Sequence, residues 1–115
     1  MVYDDYNTNK MNFNKFVYRE RSLHDTQLYI SNICTNNFIT ENIRDKTVIL
    51  YKIFLDKKEK VYRGKTKISI IAACLFKAFD LNMTINNLIK VANYFNIQYN
   101  DTAKGLTILV EVLNK

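Results

Sequence analysis

From Ile68 to Phe79 the chain is apolar at nearly every position, interrupted only by Ser69 and Lys77. A run that is hydrophobic all round predicts a helix buried on every side. It is too short to cross a bilayer, which takes about 20 residues. Ala72, Ala73, Cys74 and Ala78 leave room for neighbouring helices to come close. The flanking sequence supplies such neighbours. A first helix begins at Ser22 or Asp25, carries Leu23, Leu28, Ile30, Ile33 and Cys34, and stops at Asn36-Asn37. In the second, Thr40 stands as N-cap, and Ile43, Thr47, Leu50, Tyr51 and Phe54 recur at helical spacing along one face. Thr84 is placed to cap a fourth, with Leu88, Val91, Ala92 and Phe95 on one face and Asn86, Asn87, Lys90 and Asn93 largely on another. After a turn at Asn96 to Tyr99, Asn100 or Asp101 can cap a fifth helix from Thr102 to Leu113. Local propensity divides there: Leu106 to Val112 is rich in β-branched residues and suits a strand, which would tilt the fold towards a winged helix. The reading adopted is all-α, five helices with the third in the middle.

Residues 1–21 have no firm helical period. They read as an extension, with one helical turn near Phe13 to Tyr18 docking by its aromatics, ahead of a single domain at 22–115. A length of 115 residues with 48% hydrophobic positions and 15 aromatics suffices for one core. The absence of proline and the presence of only two glycines favour helices over hairpins, although an AT-rich genome yields the same composition. No secretory signal pattern or membrane-length apolar run is present, so an intracellular, soluble protein is expected. Cys34 and Cys74 lie in apolar stretches without a second Cys or His at metal-ligand spacing, and read as reduced core residues.

Charge changes the picture most. The net charge is +6, and residues 57–67 hold Lys57, Lys58, Lys60, Arg63, Lys65 and Lys67 against the single acid Glu59. That segment carries nearly all the excess, and the rest of the chain is close to neutral. Cations at the mouth of a helix can neutralise phosphates and release counterions, giving salt-sensitive, sequence-blind affinity. A solvated lysine-rich loop is the plainer alternative. Gly64 either lets backbone N–H groups approach a phosphate or simply turns the chain into the third helix. Catalysis finds no support: His24 is the only histidine and reads as a surface or capping residue. No glycine-rich phosphate cradle, nucleophile elbow or paired-carboxylate pattern occurs, so neither an enzyme nor a cofactor is expected.

The run Ser69-Ile70-Ile71-Ala72-Ala73-Cys74-Leu75-Phe76-Lys77-Ala78, preceded by a basic loop with glycine, resembles the third helix of the cyclin-like repeat of transcription factor IIB, its archaeal counterparts and its viral relatives. Asn42 to Thr47 with Leu50-Tyr51-Lys52 is similar to that family's second helix. Thr84, Leu88-Ile89 and Asn96-Ile97 are similar to its fourth helix and following turn. The resemblance covers roughly residues 25 to 113, one repeat. Family members usually carry two repeats and an N-terminal zinc ribbon, whereas this sequence has room for one repeat and contains no Cys-x-x-Cys. Where the family tends to place an acid after the Thr cap, Asn86 or Asn87 stands here.

The resemblance implies a five-helix cyclin-like fold. It also implies a transcription initiation factor that binds double-stranded promoter DNA and bridges TATA-binding protein and RNA polymerase, in the nucleus or at a cytoplasmic viral transcription site. Helices four and five would then lie on DNA. This adds Asn100, Thr102 and Lys104 to Lys57, Lys58, Lys60, Arg63, Gly64, Lys65 and Lys67 as DNA-binding residues, although Asp101 would repel a phosphate. A single repeat suggests a homodimer, or a heteromer with another cyclin-like subunit. The alternative is a cyclin-like interaction module that meets a kinase or structural partner without touching DNA.

Overall fold

The computed structural model describes residues 22–115, and the described residues form five helices and no strand. They are α1 (22–36), α2 (Glu41–Lys57), α3 (Gly64–Leu81), α4 (Leu88–Tyr94) and α5 (Tyr99–Leu113). The helical turn expected near Phe13 to Tyr18 lies outside the described residues. α3 is the centre: Ser69 to Leu75, Ala78 and Phe79 are all buried, and α2, α4 and α5 pack around it. α1 contributes Thr26, Ile30 and Cys34, a stripe at four-residue spacing. α2 buries Ile43, Thr47, Tyr51 and Phe54, while Leu50 sits at the edge of that face.

Hydroxyls that interrupt the buried stripes bond within their own helices. Thr47 Oγ1 donates to the Ile43 carbonyl (2.8 Å) and Ser69 Oγ to the Lys65 carbonyl (2.9 Å). Thr102 Oγ1 donates to the Gln98 carbonyl at 3.4 Å. Each polar group therefore enters the core without an unmet bond. α5 is a helix despite its β-branched residues, because Thr102, Gly105, Leu109 and Val112 repeat at helical spacing and all four are buried. Tertiary packing overrides local propensity here.

α5 lies directly on α3 where Gly105 meets the main chain of Ser69. A Cβ built on Gly105 would overlap the Ser69 carbonyl and come within 2.9 Å of Ile70 N. One turn earlier Lys65 Nζ stands 3.6 Å from Asp101 Oδ2. The two helices thus start side by side.

Three helix starts differ from the sequence-based expectation. Thr40 occupies the N-cap of α2 with extended backbone, but its side chain makes no capping bond. Thr84 does not cap α4: its hydroxyl donates to the Asn82 carbonyl (3.3 Å), and the chain continues to Asn87. There Asn87 Oδ1 accepts the Lys90 N–H at 2.8 Å. α5 starts earlier than Asn100 or Asp101 would have it, with Gln98 as N-cap, and Asp101 Oδ2 accepts the Gln98 N–H (3.3 Å). An N-cap side chain typically contributes about 1 kcal/mol. Asn87→Ala should therefore destabilise the protein by about that much in denaturant titration, with Thr84→Ala costing less than half of it. The reverse order would return the cap to Thr84.

Helix ends show the shortage of glycine. Phe38, Met83 and Asn96 follow α1, α3 and α4 with φ of 56°, 55° and 57°. Each sits inside a closing bond: Ile39 N–H to the Cys34 carbonyl (2.9 Å), Thr84 N–H to Phe79 (2.9 Å) and Ile97 N–H to Ala92 (3.1 Å). Glycine usually fills this left-handed position. Phe38 is 95% exposed, so removing its side chain forfeits little burial. Phe38→Gly should raise unfolding stability by about 0.5–1 kcal/mol through relief of left-handed strain. Lower stability on chemical unfolding would show that the phenyl ring holds a contact in the fold.

Candidate nucleic-acid interface

The cationic segment predicted as one loop is built from three pieces. Lys57 is the last residue of α2, residues 58–63 run without regular structure, and α3 begins at Gly64. The connection is anchored on α2 by Tyr62, whose ring lies 5.7 Å from that of Phe54, centroid to centroid. Arg63 holds extended backbone as the N-cap of α3. Gly64 has φ +57 with open space around its missing Cβ, so its glycine is required by the turn of the chain and not by crowding. Lys65 and Lys67 consequently sit on the first turn of a helix and not in a loop.

This arrangement divides the six cations. Lys57 Nζ donates to the Leu113 carbonyl at the far end of α5 (3.0 Å), and Lys58 Nζ donates to the Lys60 carbonyl (3.1 Å). Lys65 pairs with Asp101, though its side chain stays largely exposed. Among the described residues no bond or ion pair engages the side chains of Lys60, Arg63 and Lys67. These three are the cations most available to an external anion.

The start of α5 meets the basic segment through Lys65. Asn100 and Lys104 are exposed there, flanking Asp101. Asp101, which alone would repel a phosphate, has its carboxylate between the Gln98 N–H and the Lys65 ammonium. Thr102 requires a correction. It is fully buried with its hydroxyl turned to the Gln98 carbonyl, so its side chain reaches neither phosphate nor base edge. The helix period places it on the face towards α3, next to Gly105 in the same stripe.

Charge counting missed the groove beside these cations. An open cavity of about 790 Å³ is lined by Lys58, Arg63 and Lys67 together with Leu55, Val61 and Tyr62, and backs onto the buried Tyr51, Phe54 and Ile70. The available signal was Val61-Tyr62, an apolar pair set between Lys60 and Arg63 in an otherwise charged stretch.

No cluster of three or more His, Cys, Asp or Glu able to hold a metal occurs among the described residues. Burial pushes the Cys34 thiol up to about 11 and raises Cys74 further, so both stay protonated near neutral pH and lack nucleophilic character. Burial, with a smaller contribution from Cys74, likewise raises the Tyr51 phenol to about 12 against a lowering hydrogen bond from Thr26. No helix among the described residues is long and apolar enough to cross a membrane.

Comparison with known proteins agrees with this helical architecture. The sequence model of the transcription factor TFIIB repeat matches residues 19–112. The chain belongs to that family. It is similar to a transcription initiation factor IIB-like protein of Acanthamoeba polyphaga mimivirus, with 38% identity over 105 residues. That alignment takes in 84% of this chain and 23% of the viral protein, so the chain spans about a quarter of its relative's length. No solved structure matches significantly. The cyclin-like, all-helical repeat expected from the third helix is therefore the fold of the family as well as of the structure.

Proposed function

We propose that this TFIIB repeat is a transcription initiation factor. It binds promoter duplex through the α2–α3 connection and the exposed start of α5, and bridges TATA-binding protein to an RNA polymerase. The observation that carries this reading is the placement of Lys60, Arg63 and Lys67, which have no partner among the described residues and lie in the 57–67 segment that holds nearly all of the chain's excess charge. Duplex binding there is positional, since cations on a connection grip phosphates without reading bases. Asn100 and Lys104 extend the contact along α5. Protein partners have surface to dock on: Met83 and Ile85 in the α3–α4 connection are 93% and 99% exposed, and Ile89 on α4 is exposed beside them in sequence. The site of action is the nucleus or a cytoplasmic viral transcription site.

A tagged copy purified from its native source should bring down polymerase subunits and TATA-binding protein. Recovery of a kinase or capsid components without either would overturn this reading in favour of the interaction module. A second copy of the repeat is a further candidate partner, which light scattering at high concentration tests; a strictly monomeric protein would exclude the homodimer.

A further inference from the structure

Thr66 stands apart from most other hydroxyls of the described residues. Thr47, Ser69, Thr84, Thr102 and Thr107 each donate to a carbonyl. Thr66 is exposed, and its side chain makes no bond among the described residues. It lies in the first turn of α3, between Lys65, which pairs with Asp101, and Lys67, which lines the open cavity beside α2. Arg63, three residues before it, is exposed and unpaired among the described residues. Thr35 and Thr40 are likewise exposed without a bond among the described residues, but Asn32 and Asn37 stand three residues before them.

An arginine at that spacing, with a lysine immediately before the hydroxyl, is the charge pattern that basophilic serine/threonine kinases read with acidic groups along their substrate groove. Such an enzyme takes its substrate extended, so the first turn of α3 must open. Opening costs little here. Residues 58–63 already have no regular structure, residues 63–66 are all exposed, and the bond that closes the first turn, from Lys67 N–H to the Arg63 carbonyl, is long at 3.4 Å. The Lys65–Asp101 pair, exposed on its lysine side, adds little to that cost.

We propose that Thr66 is a phosphorylation site for a basophilic kinase, and that its phosphate switches off the cationic end of the molecule. Thr66 Oγ1 attacks the γ-phosphorus of ATP; the Oγ1–P bond forms as the bond to the bridging oxygen of ADP breaks, and the hydroxyl proton passes to the kinase's base. The product adds a charge of about −2 to a segment of six cations and one acid, lowering its net charge from +5 to about +3. Arg63 lies one helical turn from the phosphate and Lys67 is its chain neighbour, so two of the three cations open to duplex are drawn to it. The N-terminus of α3 favours the added charge, so the helix closes again around the modified residue. The modification stands without the DNA reading; only the loss of affinity rests on it.

The test uses the full chain, incubated with ATP and the catalytic subunit of cyclic-AMP-dependent protein kinase, a basophilic enzyme. Peptide mass spectrometry should find phosphate at Thr66, and chain isolated from its native source should carry it there too. Arg63→Ala should slow the transfer about tenfold. No transfer to the folded chain, or transfer confined to Ser22 or Thr107, which follow Arg19 and Lys104 at the same spacing, would overturn the site. Its absence throughout the native material, or an undiminished rate in Arg63→Ala, would overturn it as well. In the second arm, the phosphorylated chain should bind duplex on the order of 30-fold more weakly than the unmodified chain at about 0.1 M salt, with phosphatase restoring the affinity. Kinase-treated Thr66→Val should bind like the unmodified chain. Equal affinities of the modified and unmodified chains would overturn the switch. Complete absence of duplex binding in every form would overturn it too, through the DNA reading, and leave the phosphate map to decide the site.

Discussion

Gly105→Ala is expected to cost about 3 kcal/mol of unfolding stability. Two opposing effects set the sign. Alanine in a helix interior normally gains about 0.5–1 kcal/mol over glycine. Against that, the new Cβ would overlap the carbonyl carbon and oxygen of Ser69, atoms of a rigid central helix and not the end of a flexible side chain. α3 and α5 must then separate, opening space around Leu109 and Ile70, which are now fully buried. Overpacking of this kind costs about 1–3 kcal/mol or more, and looser packing along the rest of the seam adds to it. For a domain of this size the melting temperature should fall by roughly 15 °C. Gly64→Ala is the control: it meets open space but keeps φ at +57, so it should cost only about 1–2 kcal/mol. Equal effects at the two glycines would mean that the helices do not touch at Gly105.

The second large effect concerns binding. Replacing Lys60, Arg63 and Lys67 together by serine should weaken duplex affinity on the order of 100-fold at about 0.1 M salt, because each cation removed forfeits the counterion release at its phosphate. Lys57→Ser with Lys58→Ser removes nearly as much charge, yet should change affinity by less than about fivefold. Those two ammonium groups are already held by the Leu113 and Lys60 carbonyls. Fluorescence anisotropy on a labelled duplex, with folding checked by circular dichroism, separates the two variants. A general charge effect would weaken both similarly; a localised grip weakens only the first.

Much of the fold is legible in the sequence because its signals are periodic. The nearly continuous apolar run of α3 and the stripe Ile43, Thr47, Tyr51, Phe54 can be satisfied only by burial, and the stripe and most of the run are buried where the pattern puts them. The caps are less legible. Thr84, Asn87, Asn100 and Gln98 can all accept an N–H, and the choice among them depends on how many residues the chain needs to travel between packed helices. Leu106 to Val112 illustrates the same limit: propensity divides there, and the stripe from Thr102 to Val112 decides once α3 is present to bury it.

The candidate interface is legible as a composition and not as a geometry. Counting charges locates the cationic segment, but it cannot reveal that Lys57, Lys58 and Lys65 are engaged by Leu113, Lys60 and Asp101. Nor can it show that Thr102 turns inward. Those facts depend on the fold bringing distant residues together, up to 56 residues apart in the case of Lys57 and Leu113. The groove is hidden for the same reason, since its lining joins α2, the connection and α3.

If the connection from α2 into α3 grips the phosphate backbone, its grip is read most directly from the slope of log affinity against log salt for promoter-like duplex. The comparison is between the wild type and the variant lacking Lys60, Arg63 and Lys67. The slope should become shallower by about 2–3, one for each phosphate that the variant no longer neutralises. An unchanged slope and affinity in a folded variant would show that these three cations hold no phosphate.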